Sequence, residues 1–382
     1  MIFSAKNILI IRLGAIGDVI RTLPALNALR KKFPESHIAW LVEEKSTSIL
    51  NGHPQINEII VVKRERWQKG IVAPRFFLKT IKEAVSFIID LRKKEFDLVL
   101  DFHGIVKSGI FGFLSGARQR IGFGRKFTKE FNFLFNNVHV NPSDKRLNRV
   151  KRNISLLYPL EVDRNSIKAV FPFSHGNKTA VDYFFDRYID NNNGPVVAVH
   201  AGSSKKTDYK RWGLSNYAAM ADMLIEYCHA TVILTWGAEE KESVEKIAAM
   251  MNKEPVIACE TGSLSKLAEL IKRCDLYIGG DTAPMHIAAF LNVPVIAIFG
   301  PTDPLINAPF GNKKHMILRK DIPCSPCRNR KCKTKVCLEE ITPEQVYRAA
   351  EKFLEMKSAI HVDVADYKRI DLKEIGIEGI PV

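Results

Sequence analysis

A short apolar run ending in a glycine turn and followed by an amphipathic helix opens this chain, and the same unit recurs past its middle. Asn7–Ile11 is the first run, Gly14–Gly17 the turn, and Asp18–Lys32 carries apolar residues at helical spacing before Pro34. His37–Val42, Ile59–Val62 and Phe96–Asp101 read as further strands and Phe77–Lys93 as an amphipathic helix. Strands that alternate with helices in this way cannot pair as hairpins and instead build a doubly wound parallel sheet. The periodicity loosens between about Asp144 and Asn193, where Pro159, Pro172, Gly176 and the run Asn191–Pro195 interrupt it. It restarts with Val196–Val199, a helix at Leu214–Cys228 and a strand at Thr231–Leu234. The pairs Leu264–Arg273 with Leu276–Ile278 and Ala283–Leu291 with Val295–Phe299 follow, and a last helix begins at the cap signal Thr342-Pro343-Glu344. The expected architecture is α/β: two Rossmann-like, doubly wound parallel-sheet domains, residues 1–180 and 190–355, facing each other across a cleft. The second domain carries a cysteine-rich loop at 321–338, and a tail runs over 356–382.

Charge narrows the partners. The 382 residues are 46% apolar, which excludes a wholly disordered chain, and 57 Lys and Arg against 42 Asp and Glu give a formal charge of +15. Such a surface favours phosphates, nucleic acid or an acidic membrane face. No stretch reaches ~18 uninterrupted apolar residues, and Arg12 cuts the opening run without a cleavage site after it, so the expected location is cytoplasmic. The basic residues cluster at strand ends instead of alternating with aromatics along one face, which disfavours a nucleic-acid-binding protein. Cys324, Cys327, Cys332 and Cys337 form a C-x2-C-x4-C-x4-C cluster whose first pair has structural zinc spacing, so the loop is a candidate for a structural metal. Reduced thiols packing a loop are the alternative.

The candidate chemistry lies at strand ends. Gly14-Ala15-Ile16-Gly17 lets a ligand approach the backbone, but Arg12 occupies the first glycine position of the dinucleotide fingerprint, which argues against a nicotinamide oxidoreductase. Asp18 is either a helix-capping carboxylate or a general base for an acceptor hydroxyl. Gly279–His286 follows a strand and starts a helix with Pro284 in its first turn. There the amides of Ala283, Met285 and His286, with the side chains of Thr282 and His286, suit a diphosphate. Opposite that segment, His200–Ser204 is a loop of small residues, Ser203 among them, leading to Lys205, Lys206 and Lys210. Glu240 offers a carboxylate to ribose hydroxyls. Arg66 and Lys69, the loop from Asp101 through His103 to Lys107, and Arg125, Lys126 and Lys129 supply positive charge for an acidic acceptor. No D-x-D occurs, which argues against a metal–diphosphate site, so no cofactor is expected to be required for catalysis.

Together, Arg12–Pro24, Asp97–Lys107, His200–Trp212, Asp281–Leu291 and Phe299–Pro304 resemble the ADP-heptose:lipopolysaccharide heptosyltransferases, a glycosyltransferase family with the GT-B fold. The resemblance covers most of residues 6–355. Trp40–Glu44, Arg66–Lys69 and Asp101–Ser108 are most similar to the heptosyltransferase I branch, which adds the first heptose to Kdo-lipid A. The resemblance implies that Asp18 is the catalytic base and Lys210 the cation near the leaving diphosphate. It makes Asp281 and His286 donor contacts and Glu240 the ribose ligand, and it places Lys69 and Lys129 where the family binds its anionic acceptor, with Lys107 in a neighbouring loop. Ala283 stands where the family commonly has glycine, and the cysteine cluster is unlike the heptosyltransferase I pattern and resembles cysteine-bearing relatives, some of them closer to heptosyltransferase II. The expected function is inverting transfer of a heptose from ADP-heptose to an anionic, lipid-linked oligosaccharide acceptor, the Kdo/heptose inner core of lipopolysaccharide. Contact with the cytoplasmic face of the inner membrane would be peripheral. A transferase using another nucleotide sugar, or a basic nucleic-acid-binding protein with a metal-bound cysteine loop, are the alternatives.

Overall fold

The computed structural model describes residues 5–163, 168–190, 194–202, 205–237 and 239–359. The chain forms two compact units. Of the described residues, the first holds those up to Asp182 together with 263–269 and 305–312, and the second holds those of 183–262, 270–304 and 313–359. The two short segments that group with the first unit are a departure from the simple division near 180–190.

In the first unit six parallel strands, β1 (Asn7–Ile11), β2 (His37–Glu43), β3 (Glu58–Val62), β4 (Leu98–Asp101), β5 (Gln119–Phe123) and β6 (Val138–Val140), lie in the order β3-β2-β1-β4-β5-β6. The second has β7 (Val196–His200), β8 (Thr231–Leu234), β9 (Val256–Ile257), β10 (Leu276–Gly280), β11 (Val295–Phe299) and β12 (His315–Arg319) in the order β12-β11-β10-β7-β8-β9. These are one topology built twice. In each, the chain fills one side of the first strand and then crosses to the other, so loops diverge between β1 and β4 and between β7 and β10.

The helices are α1 (Ile16–Ile20), α2 (Leu23–Lys32), α3 (Arg64–Val72), α4 (Phe77–Arg92), α5 (Val106–Leu114), α6 (Arg149–Ser155), α7 (His175–Tyr188), α8 (Leu214–Cys228), α9 (Lys241–Met250), α10 (Leu264–Lys272), α11 (Ala283–Phe290), α12 (Pro304–Asn307), α13 (Val336–Glu339) and α14 (Pro343–Ala359). The expected single helix over Asp18–Lys32 is broken at Arg21-Thr22. Pro24 in the first turn of α2 has no N–H to give the preceding turn, and the Thr22 hydroxyl instead donates to the Asp18 carbonyl at 2.9 Å. The region whose periodicity loosens after Asp144 still holds α6 and α7. Asn148 caps α6 by accepting from the Val150 amide at 3.0 Å, a device that needs no apolar pattern.

Apolar strands explain where the cores sit. Leu9, Ile11, Leu41 and Val99 are fully buried and form a cluster against which Trp67 of α3, Phe87 of α4 and Phe111 of α5 pack. Each such aliphatic side chain stabilises the unit by about 1.5–3 kcal/mol relative to exposure. In the second unit Trp212 is buried edge-on to Tyr217 of α8, with ring centres 4.8 Å apart, and its Nε1–H donates to the Ile341 carbonyl at 2.9 Å. That bond ties the segment after β7 to the chain entering α14. Trp212→Phe leaves the carbonyl without its donor, and a loss of about 1–3 kcal/mol is expected in urea unfolding. An unchanged midpoint and slope would contradict this role.

Candidate active site

The register of the first sheet sets Ile11 of β1 level with Asp101 of β4, so the loops after both strands leave the sheet side by side. Asp101 is fully buried and accepts from the amides of His103 and Gly104 (3.0 and 3.1 Å), the Ser108 hydroxyl (2.9 Å) and Asn132 Nδ2 (2.7 Å). Burial raises its pKa, and these four donors oppose the rise. Its work is to fold the 101–108 loop. His103 Nδ1 then accepts from the Leu13 amide at 3.2 Å, which puts the proton of the neutral ring on Nε2. Burial, followed by the nearby Arg12 and Arg64, lowers the His103 pKa to about 4 against the opposing pull of Asp18.

Asp18 sits in the first turn of α1. Arg12 Nη2 lies 2.7 Å from one carboxylate oxygen, while Arg21 Nη2 at 2.6 Å and Arg149 Nη1 at 3.8 Å face the other. Arg12 is fixed in turn by donating to the Phe102 carbonyl, and Arg21 by donating to Asn307 Oδ1 at 2.9 Å. Burial would raise the Asp18 pKa, but the guanidiniums of Arg12, Arg21 and Arg149 outweigh it and hold the carboxyl well below the usual carboxylate range. The result is a permanently ionised carboxylate inside an excess of positive charge.

The expected acceptor cations do not all gather here. Lys129 lies beside the 101–108 loop, its amide donating to the Gly104 carbonyl at 3.0 Å, and Lys107 is exposed in the first turn of α5. Arg66 pairs with Glu83 at 2.6 Å, and Arg66 and Lys69 line a pocket of 560 Å³ between α3 and α4 whose walls include neither Asp18 nor His103.

The second sheet sets His200 of β7 level with Gly279 of β10. His200 Nδ1 lies 3.0 Å from the Thr235 hydroxyl, and its Nε2 faces Glu240 Oε2 at 3.6 Å. Burial lowers the His200 pKa in spite of Glu240. Glu240 also accepts from the Gly237 amide at 2.8 Å, and its carboxylate lies against Gly202, 2.1 Å from where a Cβ there would stand, so a larger residue at 202 would push the carboxylate aside.

Asp281 follows β10. Its Oδ2 lies 3.0 Å from Lys210 Nζ and its Oδ1 3.9 Å from His286 Nε2. Thr282 precedes α11 without a side-chain bond to the helix, its hydroxyl meeting the Gly280 carbonyl at 3.4 Å, so the ordinary capping interaction is not made. Ala283 and Pro284 open α11, which leaves its first amides to face whatever binds beside Asp281. Met285 enters the site by its amide alone, since its side chain is fully buried in the core. Ser203 lies outside the described residues.

The four clustered cysteines are all free thiols. Cys324 and Cys327 are exposed, Cys332 is half-buried and Cys337 is buried. Among the described residues no group of three or more His, Cys, Asp or Glu side chains stands at metal-holding spacing. Cys337 Sγ would lie 3.1 Å from a Cβ on Gly300, at the buried end of β11, whereas Cys332 Sγ meets the Thr334 hydroxyl at 3.8 Å.

Sequence reasoning missed the guanidinium set. Arg12 registers there as a break in the apolar run and in the glycine fingerprint, and Arg12 and Arg21 fall within the resembling segment 12–24, but nothing in the sequence pairs either of them, or Arg149, with Asp18. Their partner Asp18 is the clue, because a carboxylate at a strand end needs compensation.

Two Rossmann-like sheets of one strand order, each with a charged cluster at its switch point, place the chain in the GT-B class of folds. More narrowly, the chain belongs to glycosyltransferase family 9 (heptosyltransferase), whose family model matches residues 84–338. It is 28% identical over 337 residues to lipopolysaccharide heptosyltransferase 1 of Pseudomonas aeruginosa, covering 85% of this chain and 87% of that one. Among solved structures, the glycosyl transferase family 9 protein from Veillonella parvula superposes with a TM-score of 0.77 at 25% identity, covering 92% of this chain and 98% of that one. E. coli heptosyltransferase WaaC with ADP gives 0.70 at 22%, covering 91% and 99%.

Thiol chemistry tests the cysteine loop. Hydrogen bonds from the Lys335 amide and the Thr334 hydroxyl lower the Cys332 pKa, whereas burial, then Cys327, Cys324 and Cys332, pushes Cys337 up to about 11. Iodoacetamide at neutral pH is expected to label Cys332 well before Cys337 in the native protein, with the difference lost in urea. Equal native rates would refute the assigned environments.

Proposed function

We propose that the protein transfers a heptose from ADP-heptose to the Kdo/heptose inner core of lipopolysaccharide, with inversion at the anomeric carbon. The observation that carries this reading is Asp18, an ionised carboxylate held at the β1–β4 switch point by Arg12, Arg21 and Arg149. The names of the relatives supply the sugar and the acceptor class.

In the proposed reaction the acceptor hydroxyl attacks the anomeric carbon, its proton passes to Asp18, and the bond to the diphosphate breaks with its electron pair leaving on ADP. Lys210 and the first amides of α11 stabilise that charge, Asp281 and His286 hold the donor, and Glu240 accepts from ribose. The cation already in place is an ammonium, so turnover is expected without a divalent metal. Asp18 faces a difficulty, because a carboxylate so strongly paired is a poor proton acceptor. An anionic acceptor resolves it. Carboxylates of the acceptor compete for Arg12 and Arg21, and each guanidinium drawn away returns basicity to Asp18 when the substrate is bound. His103 adds an Nε2–H donor beside this centre. Arg66, Lys69, Lys107 and Lys129 provide further anion contacts around the same unit. Work on a lipid-linked acceptor places the enzyme, in this reading, at the cytoplasmic face of the inner membrane as a peripheral protein.

Asp18→Asn is expected to lower kcat by about 10²–10⁴ while ADP still raises the melting temperature. Unaltered turnover would overturn the assignment of the base. Arg21→Ala raises the Asp18 pKa, so the acidic limb of the kcat profile, which requires the ionised carboxylate, should move to higher pH. An unmoved limb would remove Arg21 from the clamp. Stabilisation by ADP that EDTA does not abolish is expected. Preference for UDP or GDP would overturn the ADP-heptose assignment.

A further inference from the structure

One face of the first unit is used by neither cluster. Helix α4 turns Thr80 and Leu91 inward and sets Phe87 against the core, yet Leu78, Ile81, Val85 and Ile89, three or four residues apart, are 81%, 44%, 52% and 49% exposed. A surface helix ordinarily presents polar side chains on such a stripe. Ile71 and Val72 at the end of α3, with Phe76 before α4, extend it, and all three are exposed. The surface also runs sideways. Phe87 of α4 meets Phe111 of α5 edge-on at 5.9 Å, and Phe113 of α5 meets Phe135 at 6.3 Å. Around these contacts Phe113, Phe131 and Leu134 are exposed. The crossovers β3 to β4, β4 to β5 and β5 to β6 all advance in one direction across the sheet, so right-handed connection puts their helices and turns on one side of it.

The same stretch concentrates the positive charge. Residues 63–137 hold sixteen Lys and Arg against seven Asp and Glu. Arg75, Lys79 and Lys82 border the α4 stripe and are exposed. An apolar stripe flanked by cations fits a surface that is anionic outside and apolar just beneath. It does not suit a second copy of this face, which would bring like charges together. Among the described residues no helix is long and apolar enough to cross a membrane, which fits a helix lying in the interface.

We propose that the outward face of α3, α4, α5 and the turn at 131–135 docks on an anionic lipid bilayer. Leu78, Ile81, Val85 and Ile89 enter the interfacial layer, and Arg75, Lys79 and Lys82 meet headgroup phosphates. This rests on the reading that the acceptor is lipid-linked, but vesicles without any acceptor test it separately. Failure of heptose transfer with intact vesicle binding removes the functional reading alone, and the reverse removes only this one.

The experiment floats the full-length protein with phosphatidylcholine vesicles with and without phosphatidylglycerol. Binding is expected to require the anionic lipid and to weaken with salt. Leu78→Asp/Val85→Asp should lower partitioning about tenfold or more while melting temperature and ADP binding stay unchanged. Arg75→Glu/Lys82→Glu, which leaves the apolar stripe intact, should also lower it and remove most of the salt dependence. Absent or lipid-indifferent binding, retention in both variants, or a solution dimer that the aspartates dissociate would overturn the proposal.

Discussion

A parallel sheet covered on both faces has only its strand ends through which chemistry can emerge, and this constraint organises the whole protein. The strands read as nearly unbroken apolar runs because helices bury both their faces, and their backbone groups are taken up by the ladder. Polar side chains are therefore pushed to the loops at the carboxyl ends. Where strand order reverses, neighbouring loops part and leave room for a ligand. Both sheets have the same order, so the chain makes such a place twice, beside β1 and β4 and beside β7 and β10.

The two places solve different electrostatic problems with related parts. Beside β7 and β10, one carboxylate, Asp281, is balanced by one ammonium, Lys210, next to the positive end of α11. Beside β1 and β4, one carboxylate meets three guanidiniums, and the surplus charge suits a ligand that is itself anionic. Each place also holds a histidine whose pKa is lowered by burial, His200 in one and His103 in the other. At neutral pH these rings act as oriented hydrogen-bonding groups and not as charges. The neutral ring of His103 leaves the cationic balance around Asp18 to the arginines, which allows an incoming anion to alter the basicity of that one carboxylate.

Much of this was legible in the residues, and the rest has physical reasons for being hidden. Strands such as Val295–Phe299 and helices such as Leu214–Cys228 appear within their sequence bounds because burial on one or both faces writes itself into apolar spacing. The break at Arg21-Thr22 was less visible, since Pro24 is compatible with a helix start as well as an interruption. α6 and α7 were obscured by polar surfaces. Asp18, Lys210, Asp281 and His286 stand out in the sequence as polar or charged groups beside strand ends, and the structure sets Asp18 among arginines and Asp281 between Lys210 and His286. Arg149 and Asn307 meet the Asp18 cluster from far along the chain, and no local pattern reports such a contact.

In the proposed reaction Asp18 stays ionised in the resting protein and gains basicity only when an anion takes its guanidiniums. The most direct measurement is a carboxyl ¹³C NMR titration of Asp18 in the folded protein, alone and with a Kdo-containing acceptor fragment. The free protein is expected to show no Asp18 titration near the ordinary value of about 3.9, down to the pH at which it unfolds, and the fragment to move the titration upward. A free-protein titration at the ordinary value, unaffected by the fragment, would contradict it.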